Sequence, residues 1–452
     1  MVVKTLRQLL KHCLLAALLL AAGSGHAQSV TKIAAGGWCS FFIKSNGSLW
    51  AMGKNDSGEL GDGTLTNHFI PEQIVAAGVA AISAHDPNLF LKTDGGLWGM
   101  GDNSYGGLGD GTTTNRNSPE LILSNGVVAV SGSNLRSFFL KSDGSLWGMG
   151  FSDYGVLGDG TSTSSGNFTN RPEQIVSSGV VAVAGAFTHS LFIKSDGSLW
   201  GMGDNGYGEL VDTTTNEYDR PVQIISSGVT AVAAADWFTL FIKSDGSLWG
   251  MGYNGQGQLG DGTTTDRHSP VCIVSNGVTA VAAGDEEFGH SLFLKSDGSL
   301  WGMGYNFYGV LGDGSAVDRS SPVKIVPSGV VTVATGAEHT LFLKTDGSLW
   351  GMGYNADGEL GDGTLNNTNR PELIVAGVSA TNLTATNWAF ANKLFRFTLT
   401  GPAGSNAVIA ASTNLLTWTP LVTNPLGSGT LSFTDAVATN FPRRFYRAAL
   451  TP

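Results

Sequence analysis

Short apolar runs of five or six residues recur along most of the chain, each ended by a polar turn. Val180-Val181-Ala182-Val183-Ala184 is followed by Ser190-Leu191-Phe192-Ile193-Lys194, then by Ser198-Leu199-Trp200-Gly201-Met202-Gly203, then by Pro221-Val222-Gln223-Ile224-Ile225. Runs of this length bounded by Gly, Asp and Ser predict β-strands. Asp196-Gly197, between the second and third runs, predicts a tight hairpin, because the dipeptide accepts the positive φ angles of the turn. A longer Gly- and Thr-rich connection precedes the fourth run, and a Ser-Ser-Gly turn leads to the next unit. The second and third runs are apolar at successive positions, so both faces of the sheet need cover; a sheet wet on one side would alternate. No amphipathic helical period occurs in this region, which excludes βαβ folds.

The four-run unit occurs seven times. Leu49-Trp50-Ala51-Met52-Gly53 is followed by Leu-Trp-Gly-Met-Gly beginning at Leu97, Leu146, Leu199, Leu248, Leu300 and Leu349. Units of about 50 residues with four short strands predict a β-propeller of seven four-stranded blades, each covered by its neighbours. A solenoid is the alternative with the same period. Trp200 and its six counterparts are expected between blades, out of water. Ser29 to Ala35 supplies a first strand, and another copy starts at Gly377-Val378-Ser379-Ala380, so either could close the ring.

Residues 386–452 lack the motif. Leu394 to Leu399, Ala407 to Ala410, Thr430 to Phe433 and Arg444 to Arg447 are short runs separated by turn residues, which predicts a small β-sandwich. The expected chain is all-β: a seven-bladed propeller over 28–385 and a small C-terminal β-sandwich domain over 386–452. Residues 1–27 read as an export signal. Lys4, Arg7 and Lys11 precede the apolar run Cys13 to Ala22, and Gly25-His26-Ala27 resembles a cleavage site. The expected location is secreted, periplasmic or on the cell surface, with no membrane insertion after cleavage.

Charge narrows the partners. The formal net charge is −11, and loss of Lys4, Arg7 and Lys11 takes it to −14. Phosphate polymers and anionic membranes are drawn to Lys and Arg, so nucleic acid is not expected as a partner. Beyond the signal stand Cys39 and Cys272, in repeats one and five, expected as two buried thiols and not a disulfide.

His189-Ser190-Leu191 and His290-Ser291-Leu292, the Asp-Gly hairpin, the following Trp-Gly, and Tyr-Gly-x-Leu-Gly-Asp-Gly at Tyr154 to Gly160 and Tyr308 to Gly314 resemble the repeats of the regulator of chromosome condensation family. The resemblance covers residues 30–377 and implies the propeller fold. It says little of activity, since one fold hosts many functions. The family's eukaryotic namesake is a nucleotide exchange factor on chromatin. This chain has an export signal and no basic tail, so exchange on a GTPase is not carried over. A secreted bacterial β-lactamase inhibitory protein of propeller type is similar in compartment, and no binding residue is transferred from it.

Motifs that could carry chemistry have plainer explanations. Gly201 to Gly206 fits G-x-G-x-x-G, but a Thr-rich loop follows where a nucleotide site needs a helix, so no cofactor is expected. His189, His290 and His339 share one position in different blades, and are expected as blade-stabilising hydrogen bonders with no metal between them. Asp62, Asp110, Asp159, Asp261, Asp313 and Asp362 recur in Gly-Asp-Gly loops; one carboxylate per loop is too few for calcium, so each is expected to bond its own loop amides. No catalytic residue is assigned.

In an up-and-down blade the first-to-second and third-to-fourth connections share one face, and the two hairpin sets share the other. The hairpin face is nearly invariant. The other varies, with Trp38, Trp237, Phe238 and the acidic run Asp285-Glu286-Glu287 in first-to-second connections, and Tyr105, Tyr154, Tyr207 and Tyr308 in third-to-fourth connections. Aromatic rings and charge on a variable face suit recognition. The expected function is a non-enzymatic extracytoplasmic scaffold binding a partner protein through these ten residues. The alternatives are a glycan-active hydrolase or lyase, marked by carboxylates converging on the channel, and a carbohydrate-binding or adhesion module, marked by solvent-facing rings.

Overall fold

The computed structural model describes residues 28–161, 166–210, 216–284, 289–377, 384–391, 394–400, 406–412, 419–425, 430–435 and 445–451. The export signal over 1–27 lies outside them. One compact unit spans Ser29–Gly377, and the C-terminal region forms another.

The first unit holds seven four-stranded antiparallel sheets, each made from a continuous stretch of chain. Blade one comprises Val30–Ala35, Cys39–Lys44, Leu49–Gly53 and His68–Val75. Blade four comprises Val180–Gly185, His189–Lys194, Leu199–Gly203 and Tyr218–Ile225. Blade seven comprises Val330–Thr335, His339–Lys344, Leu349–Gly353 and Thr368–Val375. The first strands of successive blades touch one another around the whole ring, so they are innermost and line its channel.

Successive side chains of a strand face opposite neighbours, which is why the middle strands are apolar throughout. In blade four, Phe192 and Met202 meet Phe138, Leu140 and Leu146 of blade three. Leu191, Ile193 and Leu199 meet Phe241 and Met251 of blade five. Gly203, which ends the motif, has a φ of +111° and a Cβ there would lie 2.6 Å from the Thr188 carbonyl oxygen, so only glycine fits.

The tryptophans correct their expectation. Trp200 is half-buried, stacked 6.2 Å from Phe192 of its own blade. Trp200 does pack against the junction of blades three and four, but the fully buried residues there are Phe138, Leu146, Phe192 and Met202. The thiols differ too: Cys39 is buried, whereas Cys272, on the outer strand Arg267–Val274, is exposed.

Ser29 to Ala35 provides the first strand of blade one, pairing Ala34 with Phe41 and Ala35 with Ser40. Blade seven is complete without it. The ring closes by side-to-side packing of Phe42 and Met52 against Leu341, Leu343 and Leu349. Where Ser29 begins, a Cβ on Gly347 would lie 2.8 Å from its Cβ, and one on Gly377 would lie 2.7 Å from the Asp346 carbonyl oxygen. Both ends of the unit thus approach the hairpin of blade seven.

The C-terminal unit has two three-stranded sheets, Thr384–Ala391, Leu394–Thr400 and Thr430–Asp435 in one, Thr419–Pro425, Asn406–Ser412 and Phe445–Thr451 in the other. Phe397, Leu399 and Ile409 form its core with Val422, Phe433 and Tyr446. Its first strand begins at Thr384, just ahead of the expected boundary.

Candidate functional site

The two faces of the propeller are built differently. On the hairpin face blades three to seven repeat one arrangement, while blade one has Asn46 for the aspartate and blade two has Gly96 for the serine. Ser198 donates to the Asp196 carboxylate at 2.6 Å and accepts the Trp200 indole N–H at 2.8 Å. The Lys194 ammonium lies 4.2 Å from the Trp200 ring centre. All seven tryptophans carry such a lysine, from 3.7 Å at Lys44 to 4.8 Å at Lys295. These side chains satisfy one another, which is a structural reason for their constancy.

On the opposite face, the last residue of the first-to-second connection and the first residue of the third-to-fourth connection are held together by a main-chain bond. Tyr253 N–H donates to the Trp237 carbonyl at 2.8 Å, Tyr354 to Glu338 at 2.8 Å, Phe151 to Leu135 at 2.9 Å, and Lys54 to Trp38 at 2.9 Å. A residue from the preceding blade completes each junction. Three aromatic groups result. Tyr207 of blade four lies 5.8 Å from Trp237 and 5.1 Å from Tyr253, and those two are 5.7 Å apart. Tyr308 of blade six lies 5.1 Å from Tyr354, which meets Trp38 of blade one at 5.4 Å. Tyr105 of blade two lies 5.4 Å from Phe151 and 6.3 Å from Phe168.

The structure thus gathers Trp38, Tyr105, Tyr207, Trp237 and Tyr308 into three clusters. Tyr154 stands at their level, 50% exposed and with a φ of 60°. Phe238 does not belong to the face. It opens the second strand of blade five, is 2% exposed, and packs in the core shared by blades five and six. Asp285, Glu286 and Glu287 lie outside the described residues. Tyr253, Tyr354, Phe151 and Glu338 were missed. Their signal was a second variable column, the first residue of each third-to-fourth connection.

Electrostatically the face is acidic. Lys54 is the sole Lys or Arg in the sequences of its fourteen connections, which hold most of the 36 acidic residues. The Gly-Asp-Gly carboxylates act within their loops: Asp110 accepts from Thr112 N–H at 2.8 Å and pairs with Arg116. Asp261 and Asp313 repeat this with Arg267 and Arg319, and Asp62 with His68. Neighbouring hydroxyls, amides and cations hold these carboxyls below the usual range against the opposing effect of burial.

Deeper carboxylates behave oppositely. Burial pushes Glu209 up to about 8 and Glu359 up to about 7. Each takes a loop N–H on one oxygen, from Tyr207 and Asp357 at 3.0 Å, and each leaves the other oxygen without a partner among the described residues.

The repeated histidines bridge blades. His189 Nε2 meets the Thr239 hydroxyl at 2.9 Å, and His290 Nε2 meets Thr340 at 3.0 Å. Burial drives His189, His290 and His339 down to about 3. Among the described residues no cluster of His, Cys, Asp and Glu could hold a metal ion. The seven strands lining the channel contain no Asp, Glu or His.

Residues 120–393 match the model of the RCC1-like domain, and residues 30–59, 46–86 and 94–140 match models of the regulator of chromosome condensation (RCC1) repeat. No curated protein matches the chain in sequence. Among solved structures, human WBSCR16 is 23% identical over 71% of this chain and 88% of its own, with a TM-score of 0.62. Yeast RCC1 (Prp20), solved with Kap60 bound, is 17% identical over 77% and 86%, also at 0.62. Prp20p from Saccharomyces cerevisiae, whose structure is described with its binding to Gsp1p and histones, is 19% identical over 77% and 88%, at 0.61. At these identities the likeness shows the shared propeller.

Proposed function

The chain belongs to the family of the RCC1-like domain, and from that premise we propose that it is an exported, non-enzymatic scaffold that binds a partner protein across its variable face. One contrast carries the reading. The same backbone presents seven self-satisfied Lys–Trp hairpins at one end and clustered rings of differing composition at the other. Clustered Tyr and Trp are the anchors that protein interfaces favour. Kap60 on yeast RCC1, and Gsp1p and histones with Prp20p, are partners of those proteins. They support protein binding as a use of this fold, and none is borrowed here. The channel strands, free of carboxylates, favour binding over glycan hydrolysis. The rings of the clusters meet mostly edge to face or tilted, which favours a protein over a sugar stacked on flat, open platforms.

Export rests on Lys4, Arg7, Lys11 and the apolar run behind them. N-terminal sequencing of the exported chain should find a start near Gln28, and an intact Met1 on a membrane-bound product would refute this. For the face, the exported chain is used to capture a partner from the medium or envelope, and capture is repeated with Trp237→Ala and with Asn125→Ala on the hairpin face. Loss with the first and retention with the second is expected; the reverse would move the site to the other face.

A further inference from the structure

Resting on the reading that the variable face binds a protein, we propose that the junction of blades six and seven, formed by Tyr308, Tyr354 and Glu338, receives an arginine or lysine side chain from a basic segment of that partner. The junction of blades four and five shows the contrast. There Trp237 fills the corner beside Tyr253 and Tyr207. At blades six and seven the same main-chain bond places Glu338 where Trp237 stands, so a carboxylate replaces the indole, and after burial its charge raises the hydroxyls of Tyr354 and Tyr305. Phe307, 62% exposed, and Trp38 extend the aromatic wall on either side.

The carboxylate is half-buried, and no hydrogen-bond donor meets it among the described residues. At the adjoining junction of blades seven and one, Glu359 is fully buried, and its Oε1 has no partner among the described residues. Glu359 and Glu338 both act on Tyr354, whose hydroxyl is raised by burial first and then by Glu359, Asp357 and Glu338. Lys54, across the next junction, is turned to Asp56 at 3.6 Å, and His339 is buried and neutral at ordinary pH.

Ring faces and desolvated carboxylates attract the same guest. A guanidinium stacks on a tyrosine while donating to a carboxylate, and an ammonium does so less completely. The acidic field of the surrounding connections would draw such a side chain in.

The test uses the exported full chain and a fluorescent octa-arginine peptide, with octa-citrulline as the uncharged match. Octa-arginine should bind and octa-citrulline should not. Glu338→Gln and Tyr354→Leu should each weaken binding about five-fold or more. Glu217→Gln, an equal charge change in an exposed connection of blade four, should alter it less than about two-fold. Should Tyr354→Leu lower the melting temperature, Glu338→Gln decides. Absence of octa-arginine binding, equal binding of octa-citrulline, or equal weakening by Glu217→Gln would overturn the proposal. A captured partner lost in Trp237→Ala but indifferent to Glu338→Gln would leave the protein-binding face standing without this site. Indifference to both would remove both.

Discussion

His339 and Ser40 are 299 residues apart in sequence, and Nε2 of the first lies 2.8 Å from Oγ of the second. The pair joins blade seven to blade one by the bond that links His189 to Thr239 and His290 to Thr340. The Thr239 and Thr340 hydroxyls also donate to the Glu209 and Val310 carbonyls, at 3.0 and 2.9 Å. A hydroxyl has one proton to give, so the imidazole Nε2 must carry its own.

Ring closure should therefore depend on this pair. His339→Phe keeps a ring at a position where blade five has Phe238, and removes the bond. We expect it to cost about 1–3 kcal/mol, the penalty of an unpartnered buried polar group. In a double-mutant cycle with Ser40→Ala, urea unfolding should show a coupling of about 1 kcal/mol. Strict additivity would mean that the bond contributes nothing.

Burial ranks the motif residues in an order opposite to size. Phe192→Ala should cost about 3–5 kcal/mol, as large truncations in a closed core do. Trp200→Ala should cost less, because its ring is half-buried and its lysine partner is only partly buried. Chemical denaturation of both variants checks the ranking, and a larger loss for Trp200 would place it in the core.

Adjacent residues should respond in opposite ways. Trp237→Ala should weaken partner binding by roughly 2 kcal/mol, as interface anchors do, with little change in melting temperature. Phe238→Ala should destabilise by about 3–5 kcal/mol and affect binding through folding alone. Affinity and melting measured on both variants separate the roles, and unaltered affinity in Trp237→Ala would withdraw it from the interface.

Stability should decline as pH rises from about 6.5 to 8. Glu209 and Glu359 have folded values near 8 and 7, above their ordinary 4.5. The folded chain therefore holds protons the unfolded chain has lost, and that stabilisation disappears as pH rises through the folded values. The depressed histidines act in the other direction, losing their contribution as pH falls from 6.5 toward 3. Above pH 6.5 the two glutamates act alone within this set. Glu209→Gln should flatten the decline between pH 7 and 8 in thermal melts, and an unchanged slope would show that Glu209 is not the group responsible.

The seven-bladed ring was legible because each blade needs apolar residues on both sides of its middle strands, and that demand recurs at a fixed period. The inter-blade histidines were legible for the same reason, as one position filled repeatedly. Phe238 was not. It adjoins Trp237 in sequence, yet Trp237 ends the turn and lies among the face's rings, whereas Phe238 opens the strand and turns into the next blade. The junction clusters escaped because Tyr308, Tyr354 and Trp38 come from three blades, and their contact depends on how blades sit side by side.

The closed ring also makes the position of the propeller's own ends arbitrary. Ser45 N–H bonds to the Ser29 carbonyl at 2.9 Å, as Ser195 N–H does to Gly179 and Ser244 N–H to Gly228. Ser29 thus occupies the place that a turn glycine fills in those blades, and both it and Gly377 approach the hairpin of blade seven. The ends are the two halves of a severed seventh turn. A circular permutant of residues 29–377 that joins them with a short linker and opens at Gly228 would keep every blade, every junction and the order of the clusters around the face.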